Sequence, residues 1–204
     1  REENIDYVKE LLTEKEKTEF VPAFEKKKKS KVTTFDLHPE IKNEDRHNFH
    51  ITDDMLGVGT DREKFNRNVE AIKVLKLCEK ENRFATPEEQ KVLSQYVGWG
   101  GLPQAFDEKN SSWESEYLEL KNLLDEDEYK SAMESTLTAF YTPPVVIRTM
   151  YKALEQMGMK TANILEPASG TGNFIGMLPE TLNECKLYGV ELDKISGKIA
   201  QQLY

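Results

Sequence analysis

The stretch Asn163-Ile-Leu-Glu-Pro-Ala-Ser-Gly-Thr-Gly-Asn-Phe174 constrains this chain more than any other. It reads as a short strand, 163–165, entering a turn that carries Gly170 and Gly172, with a helix beginning after Asn173. A second strand, 187–190, and a last helix follow. Strand, helix, strand, helix implies a parallel sheet with right-handed crossovers. Two parallel strands make a poor sheet alone, because such sheets are normally covered on both faces. Further strands are therefore expected beyond Tyr204, and a chain that starts at Arg1 reads as a piece of a longer protein.

Glycine turns at strand tips hold nucleotide-like ligands, and the residues around the glycines say which kind. A phosphate-gripping loop needs Lys-Ser/Thr after its glycines, and none follows here. A dinucleotide fold is the closer rival. Gly170, Gly172 and Gly176 give G-x-G-x-x-x-G, and the acidic Glu191 ends the second strand. Glu166 separates the two readings. A carboxylate directly before the turn would face a pyrophosphate unfavourably, but it suits a phosphate-free cofactor with an ammonium end, such as S-adenosylmethionine. Glu191, presenting two oxygens, can then accept from both ribose hydroxyls. A glycine-rich turn with no ligand at all is the plain alternative.

Upstream, residues 51–138 read as a helical module. Thr60-Asp-Arg-Glu63 is a capping box, followed by Phe65, Val69, Ile72 and Leu75 at helical spacing. Thr86-Pro-Glu-Glu89 opens a second helix in the same way. Gly98-Trp-Gly-Gly101 breaks the chain. Ser111 with Glu114 is expected to start a third helix through Leu124, and Asp125 to cap a fourth ending near Leu137. Trp99, Trp113 and Tyr96 could stack on bases, but helix packing is the commoner use of such rings. From residue 139 the character changes. Thr142 is expected to cap a helix that starts at Pro143, turns Val146, Met150, Leu154 and Met157 to one face, and closes at Gly158.

Residues 1–50 alternate charge runs with isolated apolar residues and read as a loosely structured linker with one short helix over 5–12. Lys26-Lys-Lys-Lys-Ser-Lys31 could touch phosphates, though a solvated linker accounts for it better. His38, His47 and His50 lack the spacing of a metal site, and Cys78 and Cys185 lack a paired spacing. A net charge of −9 argues against a nucleic-acid footprint over the whole surface. The unpaired cysteines make a reducing cytoplasm the expectation; no apolar run approaches the roughly 20 residues of a membrane span, and no signal-peptide pattern opens the chain.

Three motifs resemble those of N6-adenine DNA methyltransferases. "LEPASGTGNF" looks like their cofactor motif, "YGVELD" (188–193) is similar to their second motif, and "AFYTPPVVIRTM" (139–150) resembles the segment that closes over the methionine end. Residues 51–76 and 85–108 resemble the segment that precedes these motifs in very large proteins of bacterial mobile elements, where the methylase is joined to a Swi/Snf-type helicase, so that the whole resemblance covers roughly residues 48–204. The resemblance implies an α/β fold in which a helical module leads into the first two βα units of a Rossmann-like methyltransferase sheet, over 139–204. It implies S-adenosylmethionine as cofactor, with DNA and a helicase domain of the same polypeptide as partners. Tyr141 and Thr142 would contact the methionine portion, and Glu166, Ala168, Gly170 and Gly172 would line the turn. Glu191 would hold the ribose, and Phe174 would pack beside the ligand or serve its helix.

The chemistry itself needs an Asn/Asp-Pro-Pro-aromatic loop, whose polar groups orient the exocyclic amine of a flipped adenine. The one Pro-Pro pair, Pro143-Pro144, lies between Thr142 and Val145. No catalytic residue is therefore expected within the chain, and the catalytic loop is expected outside it. Two other readings stay open: a non-catalytic binding module serving a helicase, and a methyltransferase acting on protein glutamine.

Overall fold

The computed structural model describes residues 48–204. The helix expected over 5–12, the lysine run at 26–31, and His38 and His47 lie outside the described residues.

Helix α1, Asp61–Glu81, begins where expected. The Glu63 carboxylate accepts the Thr60 N–H at 2.7 Å while the Thr60 hydroxyl accepts from the Glu63 N–H. This capping box satisfies two of the amide donors that a helix start leaves orphaned. One face of α1 buries Phe65, Val69, Ile72 and Leu75, together with the polar Asn68. Helix α2, Pro87–Leu93, carries the second capping box, from Thr86 and Glu89. Helix α3, Glu114–Leu123, starts later than expected. Residues Ser111–Trp113 form a 3-10 turn capped by Asn110, and neither Ser111 nor any other side chain caps α3 itself. Helix α4, Glu126–Ser135, is capped by Asp125 and Glu128 and stops two residues short of Leu137.

Helix α5, Pro144–Gln156, departs from the expectation in two ways. Pro143 occupies the cap position in an extended conformation and Pro144 is the first helical residue, so Thr142 caps nothing. The buried face is Pro144, Ile147 and Tyr151; of the expected stripe Leu154 packs against the core, whereas Val146, Met150 and Met157 are exposed. Gly158 does close the helix: with φ +82° it donates to Glu155 O while Met159 N–H reaches Leu154 O, a Schellman ending.

Strand β1, Asn163–Glu166, pairs in parallel with β2, Lys186–Gly189, in the register Ile164↔Leu187 and Leu165↔Tyr188. Between them lies α6, a single turn over Asn173–Gly176; α7, Lys194–Leu203, follows β2. The molecule is thus mixed α/β, dominated by helices, with a two-stranded parallel sheet. One sheet face packs Ile164 towards Ile147, Tyr151 and Phe174. The other leaves Leu165, Tyr188 and Val190 exposed.

Two clusters hold the described residues together. The larger centres on Phe65, Tyr96, Trp99, Phe106 and Trp113, with Trp99 meeting Phe106 edge-on at 5.4 Å and Phe65 at 6.0 Å. These rings are core residues, as the helix-packing reading expects. Ile195, Ile199 and Leu203 of α7 complete that cluster, while Ile51 and Leu56 join the second cluster, under α5. Packing therefore crosses residue 138 in both directions.

Candidate functional site

The tips of β1 and β2, the segment before α5, the end of α4 and the start of α7 surround one cavity of about 420 Å3. That volume suits a small-molecule ligand, for which pockets of roughly 300–1,000 Å3 are usual. Tyr141, Thr142, Glu166, Ala168, Gly170, Phe174 and Glu191 all line it. These are seven of the residues singled out from the sequence, drawn from three separate segments. Gly172 does not line it. A side chain at Gly172, where φ is +84°, would fall 2.5 Å from Tyr204 Cε2, and one at Gly176 would strike the Tyr204 hydroxyl and Ile51. The later glycines of the G-x-G-x-x-x-G spacing make room for Tyr204, and only Gly170 faces the cavity.

Two carboxylates mark the strand tips. Glu191 is held on both oxygens: Oε2 accepts the Gly170 N–H at 2.6 Å and Oε1 accepts the Asp193 N–H at 2.8 Å. It thereby ties the glycine turn to the end of β2 and keeps a free lone pair on each oxygen. Glu166 is different. It is partly buried, burial pushes its carboxyl above the usual range, and among the described residues no donor or cation meets it. Glu134 and Asp193 also line the cavity, which has four carboxylates and no Lys, Arg or His side chain among its described walls. Such a lining favours a ligand carrying positive charge and disfavours a phosphate.

Tyr141 forms one wall. Its hydroxyl lies 3.0 Å from Ser196 Oγ, and its ring meets Tyr96 edge-on at 6.4 Å. Burial, more than any other influence, raises the phenol's pKa, so it is a neutral hydrogen-bonding group at physiological pH. Asp193 caps α7 by accepting from the Ser196 N–H at 2.8 Å, and its other oxygen accepts from Ser131 Oγ of α4 at 3.2 Å. Phe174 serves both roles open to it, lining the cavity and meeting Tyr151 edge-on at 6.2 Å; the Tyr151 hydroxyl donates to the Phe174 carbonyl at 2.6 Å.

Sequence reasoning missed the walls supplied by the helical module: Gly98, Ser131, Glu134, Ser135 and Thr138. Small and polar residues on a helix end carry no distinctive spacing. Gly98 alone left a trace, in a glycine cluster without an assigned purpose, and its partner Tyr141 lies far along the chain.

Among the described residues no group of three or more His, Cys, Asp or Glu side chains could hold a metal ion, and no helix is long and apolar enough to cross a membrane. No family model matches the chain, and no curated protein or solved structure is significantly similar to it.

Proposed function

We propose that the cavity binds S-adenosylmethionine and that the chain is the amino-terminal part of an N6-adenine DNA methyltransferase. In this reading β1 and β2 are the first strands of a Rossmann-like sheet, and DNA and a helicase domain of the same polypeptide are its partners in the cytoplasm. The observation that carries the reading is Glu166, a part-buried carboxylate lining an acidic cavity with no partner among the described residues. A carboxylate so placed costs stability unless a donor or cation arrives to meet it. The ammonium of the cofactor's methionine end has that chemistry. Glu191 would receive the ribose hydroxyls on the lone pairs that the Gly170 and Asp193 amides leave free, and Tyr141 and Thr142 would flank the methionine portion.

When bound, the cofactor supplies a methyl group made electrophilic by its sulfonium. The chain's own residues bind and orient it; orientation is a large part of the rate in such transfers. None of the 204 residues is assigned a part in activating the acceptor amine. Pro143-Pro144 opens α5, with Thr142 and Val145 in the positions where an amide or acid and an aromatic ring would be needed.

A thermal-shift comparison tests the reading. S-adenosylmethionine should raise the Tm of the chain, and NADP should not. Glu166→Gln should weaken S-adenosylmethionine binding by about 10- to 100-fold, the loss of one charged hydrogen bond, while leaving the ligand-free protein as stable or more so at pH 7. The sign follows from the raised carboxyl: its ionised form costs stability above its folded pKa, and the cost disappears as pH falls and the group takes up a proton. Ligand affinity should fall over that same descent, because the ammonium needs the carboxylate. An equal response to NADP, or unchanged binding by Glu166→Gln, would overturn the assignment.

A further inference from the structure

We propose that Gly98 is a positioning residue of the ligand site, acting through Tyr141, so that the helical module is a working wall of the cavity. Only the identity of the ligand in this proposal rests on the cofactor reading.

The Tyr141 ring spans the gap between two glycines on different parts of the chain. A Cβ at Gly98, where φ is +71°, would lie 2.7 Å from Cε2 on one edge of the ring. A Cβ at Gly170, where φ is +54°, would lie 2.6 Å from Cε1 on the other. Both backbones are in the left-handed region that glycine tolerates. Gly98 is itself fixed from below. Asn68, fully buried in α1, donates from Nδ2 to the Gly98 carbonyl at 2.6 Å and accepts the Val97 N–H on Oδ1 at 2.9 Å. The ring is held elsewhere too, its hydroxyl by Ser196 and its body by the edge-on contact with Tyr96. Pressure from Gly98 is therefore passed to Gly170, whose N–H holds Glu191. The line from α1 to the β2 tip runs Asn68, Gly98, Tyr141, Gly170, Glu191. It gives the glycines of "VGWGG" a purpose: Gly98 seats Tyr141, and Gly100 donates to the Ala139 carbonyl at 3.1 Å, docking the segment that carries the ring.

The test compares Gly98→Ala with Gly101→Ala in the 204-residue chain. Gly101 has a similar φ, +78°, but a Cβ there meets only Phe140 Cε1 at 3.7 Å, an ordinary contact. Both variants carry left-handed strain; only the first presses on Tyr141. The amide resonance and hydrogen exchange of Gly170 report the turn without ligand, and calorimetry reports S-adenosylmethionine affinity. Gly98→Ala should shift the Gly170 amide and weaken binding about tenfold or more, as a misplacement of the order of 1 Å does, while Gly101→Ala changes neither by more than about twofold. In a Tyr141→Ala background the added methyl of Gly98→Ala meets only the Ala139 carbonyl oxygen, at 3.4 Å, so it should leave the Gly170 amide where Tyr141→Ala alone puts it; such non-additivity marks direct coupling. Should Gly98→Ala fail to fold, Tyr141→Phe frees the ring tip without backbone strain, leaves the Ser196–Asp193 hydrogen bond in place, and should move the same amide. An unmoved Gly170 amide, or equal effects at Gly98 and Gly101, overturns the proposal. A responsive amide in a chain that never binds S-adenosylmethionine upholds the positioning role and overturns the cofactor reading instead.

Discussion

The helical region and the α/β region are built to different standards. In the first, three helices start with a side-chain cap that answers their amides, and five aromatic rings fill a sealed core. In the second, α5 and α6 start with no side-chain cap, the strands are four residues long, and one sheet face leaves Leu165, Tyr188 and Val190 exposed. Cohesion is thus concentrated in the helices, while the cavity lies along the edge of the less protected part and borrows six of its twenty lining residues from the better one. A site gains precision when its walls rest on rigid elements, and the helical core supplies that rigidity to a sheet too narrow to supply its own.

Three experiments sharpen this contrast, from the largest effect to the smallest. Trp99→Ala should cost about 3–5 kcal/mol in urea denaturation, the usual result of emptying a buried aromatic site. Leu165→Ala, on the bare sheet face, should stay within about 0.5 kcal/mol. Similar values for the two would erase the distinction. Next, Thr60→Ala should cost about 1 kcal/mol through its lost cap. Thr142→Ala, at a helix start where threonine makes no cap bond, should change stability by less than about 0.5 kcal/mol. Finally, the two regions should answer acid with opposite signs. The forked Arg83 guanidinium, aided by the Thr86 N–H, draws the Glu89 carboxyl down to about 2 from the ordinary 4.5. Its stabilisation is present above the ordinary value and is lost as pH falls towards 2, so Glu89→Gln should flatten that limb of the pH–stability curve. Glu166, raised by burial, contributes the reverse slope, and Glu166→Gln should steepen the acid loss.

What could be read from the residues was whatever depends on near neighbours. The capping boxes at Thr60 and Thr86 involve residues three apart, and both form. The parallel pairing followed from element order, and it holds. The buried face of α5 was misread because Val145-Val-Ile147 puts three apolar residues in a row, so two helical stripes fit the spacing equally. The sheet decides between them: Ile147 and Tyr151 have Ile164 and Phe174 to pack against, and Val146 and Met150 do not. Thr142 was misread because a threonine before a proline resembles a cap, whereas Pro143 takes that position in extended form. For the cavity, the residues of the glycine turn and the strand tips were legible from their chemistry. Gly172 was not separable from Gly170 by spacing, since the difference between them is which ring each faces, Tyr204 or Tyr141. The walls from α4 were invisible for a similar reason, as nothing local ties Ser131 to Asp193.

Helix α7 has a consequence for how the molecule is made. Ile195, Ile199 and Leu203 complete the core cluster to which α1 and α2 contribute, Gln202 accepts the Ala85 N–H, and the Leu203 carbonyl receives the Phe49 N–H. During synthesis the earlier helices can form as they leave the ribosome, but their apolar faces stay uncovered until this stretch has cleared the exit tunnel. An intermediate that lacks α7 would leave that apolar surface open, the kind of exposure that favours aggregation during folding.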